Sequence, residues 1–355
     1  MAQAWIRGNP ATIDAAAEEA ARLLAASRMP VIAGLGTDVA GARAAIRLAR
    51  RIGAAVDHMH ADALLRDLDV MRESGMMVTT PNEARLRADL LLLAGCGLTQ
   101  AWPDLPQRLL EAPEGRQRRI VWLCGGAEAE KIDAAARIGG SPDELPVLLA
   151  NLRALCGGRP AGNVAAAVAA LAADLVRVKF GVAVWSAATL DALTVEMLCG
   201  LVRDLNAATR FAGLPLAPPD NAAAVLEVSG WSIGFPPRSG FAHGLPEHDP
   251  WRFDAARLVD SGEADCAVWI SALSATPPAW TRKVPTILLA CDEALRGKAA
   301  VTIAVGRPGV DHDAVMHLPA TGTLSPLFAE RATQAPPVAH ALDLIAARLP
   351  EGAPC

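Results

Sequence analysis

The stretch from Pro30 to His58, PVIAGLGTDVAGARAAIRLARRIGAAVDH, constrains the fold more than any other part of the chain. Val31-Ile32-Ala33 is a short apolar run without alternation, the pattern of a strand buried on both faces. Gly34-Leu35-Gly36 then lets the backbone turn tightly. Ala42, Ala45, Ile46, Ala49 and Ile52 recur at helical spacing, with Arg43, Arg47, Arg50 and Arg51 on the opposite face. Gly53 stands where a left-handed helix cap is wanted, Ala54-Ala55-Val56 resumes as a strand, and Asp57 lies at its carboxyl end. The unit is half of a parallel α/β domain, and such sheets bind ligands at the carboxyl ends of their strands.

A dinucleotide fingerprint is not completed. Gly34, Gly36 and the later Asp57 fit it in outline, but Val39 occupies the place of the third glycine and Gly41 comes two residues late. Asp38 in the turn would repel a pyrophosphate. A tight strand-to-helix turn explains the glycines without a nucleotide.

A chain of 355 residues forms one large or two ordinary domains. Apolar residues make up 52% and aromatic ones 4%, without tyrosine; alanine carries much of the apolar share, which points to a helix-rich globular protein. The net charge of −5 without a basic stripe argues against nucleic-acid binding. Asp14, Glu18 and Glu19 interrupt any leader-like run, and no apolar run approaches the roughly eighteen residues of a membrane span, so a cytoplasmic, membrane-free location is expected. Seven cysteines, Cys96, Cys124, Cys156, Cys199, Cys266, Cys291 and Cys355, include no C-x-x-C pair, which leaves buried thiols as the default.

Along the chain, a helix is expected over 10–26 and another after His60, with Leu64, Leu65, Leu68 and Met71 on one face. Thr80-Pro81-Asn82-Glu83 and Ser141-Pro142-Asp143-Glu144 read as capping boxes. Strands are expected at 90–94, 120–124, 181–185, 266–270, 286–290 and 301–305, and Met197, Leu198, Leu201, Val202 and Leu205 mark a core-facing helix. Gly157 to Gly162 is the most linker-like break. Leu214 to Trp251 shows little periodicity and reads as a long loop, of the kind that is usually functional.

Candidate chemistry is sparse. On a strand, His58 and His60 would share one face, with Asp57 or Asp62 as companions, but no third ligand has a convincing spacing. Asp311-His312-Asp313 with His317, and the run His243 to Asp249, read as polar turns. Neither a nucleophile elbow nor a P-loop is present.

The order Met29 to Asp57, then Asn82-Glu83-Ala84-Arg85-Leu86-Arg87-Ala88-Asp89 running into Leu90 to Gly95, resembles the molybdopterin oxidoreductase superfamily. Lys179-Phe180-Gly181-Val182, Leu201 to Asn206, Gly230-Trp231 with Gly234-Phe235-Pro236, and Asp265 to Val268 continue the likeness in the same order. Within that superfamily the chain resembles the B subunits of formylmethanofuran dehydrogenases, and most of all the B subunits of formyltransferase/hydrolase complexes in methylotrophic bacteria. The resemblance implies two Rossmann-like, doubly wound α/β domains, one inserted in the other: a discontinuous domain of residues 1–60 plus 176–355, and an inserted domain of 61–175. In the catalytic relatives, an N-terminal cysteine cluster holds a [4Fe-4S] centre, and a cysteine or selenocysteine near a His-Gly-Pro motif binds molybdenum or tungsten. Here no cysteine precedes Cys96, and the second position reads His58-Met59-His60-Ala61-Asp62-Ala63.

The resemblance therefore implies a degenerate, non-catalytic scaffold subunit without catalytic, cofactor-binding or metal-binding residues, and without molybdopterin, tungsten or [4Fe-4S] on this chain. Its partners would be an amidohydrolase-like A subunit, a C subunit and a formyltransferase D subunit. Together they would carry the formyl group of formyl-tetrahydromethanopterin through a methanofuran analogue to formate in one-carbon metabolism. The rival expectation is a working pterin- or dinucleotide-dependent oxidoreductase whose metal ligand comes from Cys96 or Cys124. Two further expectations follow. Trp231, Phe235, Phe241 and Trp251 should form a partner surface. Asp57–Asp62, Gly95–Trp102, Trp185–Thr189 and Leu214–Asn221 should converge on a cofactor cleft filled by side chains such as Met59, Trp102, Trp185 and Leu190.

Overall fold

The computed structural model describes residues 3–132, 135–273, 276–295, 297–331 and 333–350; Cys355 lies outside the described residues. The chain forms two compact α/β units, one of residues 1–61, 220–317 and 324–355, the other of 62–219 and 318–323.

The first unit is built on a nine-stranded sheet. Five strands run parallel at its centre, in the order Ala55–Val56, Pro30–Gly36, Cys266–Ser271, Thr286–Ala290 and Val301–Ala304. Antiparallel ribbons close both edges: Ser239–Gly240 with Glu247–His248 beside Ala55–Val56, and Ala4–Ile6 with Asn9–Ala11 beside Val301–Ala304. The N-terminal ribbon shifts the expected first helix to Ile13–Ala26, where Thr12 caps it by accepting the amide of Ala15. One face of the sheet is covered by Ile13–Ala26, Val39–Ile52, Ala222–Ile233 and Val338–Ala347 around Ile32, Val268, Ile287 and Ile303. Among the described residues, the other face carries the short helix Ala255–Asp260 and the turn Ala279–Arg282, whose Trp280 packs on Trp269.

The Pro30–His58 unit folds as its sequence demands. All seven residues of Pro30–Gly36 are buried. Helix Val39–Ile52 buries Ala42, Ala45, Ile46 and Ala49, and ends at Gly53 in the left-handed region, φ 68°. Gly41 has a steric reason: a Cβ there would stand 2.1 Å from Thr37 Oγ1.

The second unit holds a five-stranded, wholly parallel sheet in the order Ala135–Ile138, Arg119–Leu123, Leu90–Ala94, Gly181–Trp185 and Phe211–Pro215. Helices Leu145–Cys156, Ala166–Leu175 and Ala192–Leu205 cover one face. Pro81–Arg87, Leu98–Ala101 and the turn Pro106–Leu110 cover the other. The capping box at Ser141 closes in both directions. At Thr80 the hydroxyl accepts the Glu83 amide, while the Glu83 carboxylate takes Thr79 Oγ1 and Arg87.

Three expectations are corrected. The division at 175/176 falls inside the second unit, because Gly181–Trp185 pairs along its whole length with Leu90–Ala94. The Gly157–Gly162 break is a turn between two helices of one layer. The supposed loop Leu214–Trp251 contains helix Ala222–Ile233 and two short strands.

Candidate functional site

In the first unit, the carboxyl end of Pro30–Gly36 is bent: Gly34 and Leu35 have φ of 83° and 56°, and the register with Cys266–Ser271 shifts there. A Cβ on Gly34 would lie 2.6 Å from the Ile270 carbonyl oxygen, so only glycine fits. Beyond it, Asp38 Oδ1 accepts the amide of Gly41 at 3.0 Å and the hydroxyl of Thr37 at 3.2 Å. The helix amide that a bound phosphate would use is already held by this chain's own carboxylate.

Asp57, in the place of a ribose-binding acid, is buried and performs a structural task. Its Oδ2 accepts the amide of Ala255 at 3.0 Å, at the start of helix Ala255–Asp260. Its Oδ1 lies 3.5 Å from Arg238 Nε, and the other side of that guanidinium meets Asp254 at 2.6 Å.

His58 and His60 follow strand Ala55–Val56 in a turn rather than sharing a strand face. His58 Nδ1 accepts the amide of His60 at 3.0 Å, so the ring proton sits on Nε2, which faces the carbonyl oxygen of Asp220 at 3.3 Å. Burial, more than the neighbouring His60, lowers the pKa of His58 to about 4, against the opposing pull of Asp220. The ring is neutral at physiological pH. His60 Nε2 lies 3.1 Å from Asp220 Oδ2. Asp220 and Asn221 both adopt positive φ, 56° and 60°. Asn221 then joins three segments, donating to Thr37 O at 2.7 Å and accepting the amide of His317 at 2.9 Å.

The second unit repeats the device. Glu128 accepts the amides of Gly97 at 2.5 Å and Thr99 at 2.6 Å, at the start of helix Leu98–Ala101. Leu190 packs against Gly95, within 2.7 Å of where a Cβ would stand. Trp185 is buried and donates to Asp67 Oδ1 at 2.9 Å, while Thr189 Oγ1 donates to Cys96 O at 2.6 Å. Of the four segments expected to converge, 57–60 and 220–221 meet within the first unit. Within the second, 95–97 meets 189–190, and Leu216 donates its amide to Trp185 O.

These donors do not suit a molybdenum or tungsten centre. Both ring nitrogens of His58 are engaged by the backbone, and the adjoining ligand is a second imidazole rather than a thiolate. Among the described residues, no group of three His, Cys, Asp or Glu is placed to hold a metal. Burial pushes the thiol of Cys266 up to about 12 and that of Cys124 up to about 11, so both stay protonated. Asp311 ties to Arg331 and the Arg307 amide, and Asp313 to the Ala329 amide, as in a polar turn. His243 pairs with Glu247 at 2.6 Å. Of the aromatic residues expected on a partner surface, Trp231, Phe235 and Trp251 are exposed; Phe241 is buried in the core, because it packs in the layer that covers the parallel strands. Sequence reasoning reached Asp220 and Asn221 only as part of the segment Leu214–Asn221, where they are the polar pair after two prolines, and missed Glu128.

The chain is thus an α/β protein with parallel sheets, in which the strand-end amides of Gly41, Gly97 and Thr99 are held by its own carboxylates. No family model matches the chain. It is 41% identical over 318 residues, 86% of its length, to the B subunit of the formyltransferase/hydrolase complex Fhc of Methylorubrum extorquens, covering 85% of that protein. It is 28% identical over 280 residues to the B subunit of a tungsten-containing formylmethanofuran dehydrogenase 2 of Methanocaldococcus jannaschii, of which it spans 62%. A chain in the crystal structure of the formyltransferase/hydrolase complex from Methylorubrum extorquens, solved with methylofuran, superposes with a TM-score of 0.88 at 36% identity, over 97% of this chain and 98% of that one. The protein belongs to the family of formyltransferase/hydrolase complex B subunits.

Proposed function

We propose that this chain is a non-catalytic structural subunit of a formyltransferase/hydrolase complex, which converts formyl-tetrahydromethanopterin to formate through a formyl-methanofuran-type carrier in one-carbon metabolism. The observation that carries the reading is the 41% identity, spread over 86% of the chain, to the B subunit of such a complex. The engagement of both His58 nitrogens by the backbone supports a subunit that contributes no metal ligand at this turn. The chain holds no catalytic, cofactor-binding or metal-binding residue. Its two units are doubly wound domains of the molybdopterin oxidoreductase type, the second inserted in the first. Its partners are an amidohydrolase-like A subunit, a C subunit and a formyltransferase D subunit, and the assembly works in the cytoplasm with tetrahydromethanopterin and a methanofuran analogue. No helix among the described residues is long and apolar enough to cross a membrane.

The test is purification of the tagged chain from its native host, with identification of the accompanying chains and elemental analysis of the product. Three partner chains and formyltransferase/hydrolase activity are expected. Near-stoichiometric tungsten or molybdenum bound to this chain would overturn the reading in favour of an oxidoreductase.

A further inference from the structure

The thinly covered face of the nine-stranded sheet holds a cavity of about 360 Å³, wholly within the first unit. Its origin is topological. Among the described residues, the connection from Cys266–Ser271 to Thr286–Ala290 carries only the short turn Ala279–Arg282, and the next connection only Glu293–Leu295. Neither supplies a helix long enough to cover the sheet as the helices on the opposite face do. Val284, Leu288 and Leu295 give the cavity an apolar wall, and Thr276 adds a hydroxyl.

Its charge is one-sided. Arg282 and Lys298 both line it, and no carboxylate among the described residues does. Neither cation forms an ion pair among the described residues, although the chain has 38 acidic residues against 33 lysines and arginines, and the neighbouring Lys283 is paired with Asp260. Among the described residues these two exposed cations share one concavity without a counter-charge, a repulsion that water screens in part, and the apolar wall beside them is left to water. An anion with an apolar body relieves both costs. The volume is within the range of small-molecule sites, roughly 300–1,000 Å³.

We propose that this cavity binds a small organic carboxylate, its charge met by Arg282 and Lys298 and its apolar body lying on Val284, Leu288 and Leu295. The site is independent of the subunit reading, since co-purification and carboxylate binding are separate readouts.

Calorimetric titration of the full chain with benzoate, benzamide, acetate and inorganic phosphate tests it. Benzoate should bind saturably. Benzamide, which has the ring without the charge, and acetate, which has the charge without the ring, should each bind at least about tenfold more weakly; phosphate should also be weaker. Arg282→Gln and Lys298→Gln alter exposed side chains and should leave the melting temperature in place while each weakens benzoate severalfold. Ala299→Trp should abolish binding by filling the cavity. Benzoate that gives no saturable heat up to about 50 mM, benzamide that binds as well as benzoate, or an Arg282→Gln/Lys298→Gln double variant that binds unchanged would overturn the proposal. Repeating the titration on the co-purified assembly should show benzoate still bound, and loss of binding there would overturn a site for a free carboxylate.

Discussion

Replacing Asp67 by asparagine should stabilise the second unit at neutral pH. Asp67 lies on helix Ala61–Ser74, where its Oδ1 accepts Trp185 Nε1 at 2.9 Å. Burial, the dominant influence, raises the carboxyl pKa from 3.8 to about 6, against the downward pull of the Trp185 hydrogen bond and of Arg66. The unfolded chain releases this proton near 3.8 and the folded chain only near 6, so the folded state holds the extra proton between those values. The contribution to stability is therefore intact below pH 3.8, is lost as the pH rises to about 6, and stays lost above it. At about 1.4 kcal/mol for each tenfold step, the window amounts to about 3 kcal/mol. Asparagine keeps an acceptor for Trp185 and carries no charge. The variant should gain about 1–3 kcal/mol over the wild type at pH 8 and little or nothing at pH 4. Urea unfolding at pH 4, 6 and 8, with hydrogen exchange of strand Gly181–Trp185 reporting on this unit, measures the difference. A variant no more stable than the wild type at pH 8, or a gain of equal size at pH 4 and pH 8, would refute the reasoning.

Asn221→Ala should cost the first unit about 3 kcal/mol, because it leaves Thr37 O and the His317 amide without partners at a residue held at φ 60°. Asn221→Gly should cost about 1 kcal/mol less, since glycine accepts that φ, and equal losses for the two variants would contradict the backbone part of the account. Arg118 donates to the carbonyls of Ala84, Arg85, Ala88, Leu109 and Glu111, closing the end of helix Pro81–Arg87 against the Pro106–Leu110 turn. Arg118→Ala should cost about 2–4 kcal/mol, with lysine restoring less than half; a thermal shift within error of zero would count against it. For His58, the unfolded chain takes up a proton near 6.5 and the folded chain only near about 4. Its contribution should be complete above pH 6.5 and decline by about 3 kcal/mol as the pH falls to 4, so a His58→Gln variant should show a flatter acid limb, and parallel limbs would exclude the effect.

Short-range patterns read well from the sequence because short-range physics fixes them. Strands Pro30–Gly36, Leu90–Ala94 and Thr286–Ala290 are apolar without alternation because every residue along them is buried. Gly53 and Ser141 follow from cap chemistry alone. Helix Ala222–Ile233 was not legible because apolar residues lie all round it: Val225 and Val228 face the core while Trp231 is exposed. The unit boundary was illegible for a different reason. A run of glycine and proline signals a turn, and whether that turn separates units depends on which distant strands pair; Gly181–Trp185 joins strand Leu90–Ala94 across about ninety residues of chain. The site divides in the same way, since His58 and His60 were visible by type, whereas Asp220 stands 160 residues from His60 in sequence.

Asp38 and Glu128 each hold strand-end amides of the kind that a bound anion takes in other parallel sheets. In an open parallel sheet, the turn after each strand presents free amides and the positive end of a helix, which favour a bound anion. Such amides must find water, a ligand or a carboxylate of the chain itself. In this chain, the Asp38 carboxylate takes the Gly41 amide in one unit and the Glu128 carboxylate takes those of Gly97 and Thr99 in the other. A carboxylate tethered to the same unit needs no association step and stays on the amides as long as that unit is folded. These hydrogen bonds order the turns from within each unit, and His58, held from both ring nitrogens, turns the position after Ala55–Val56 into a packed corner. At both sheets, then, a carboxylate of the chain itself occupies strand-end amides that would favour an anion, and those amides contribute to the stability of their own unit.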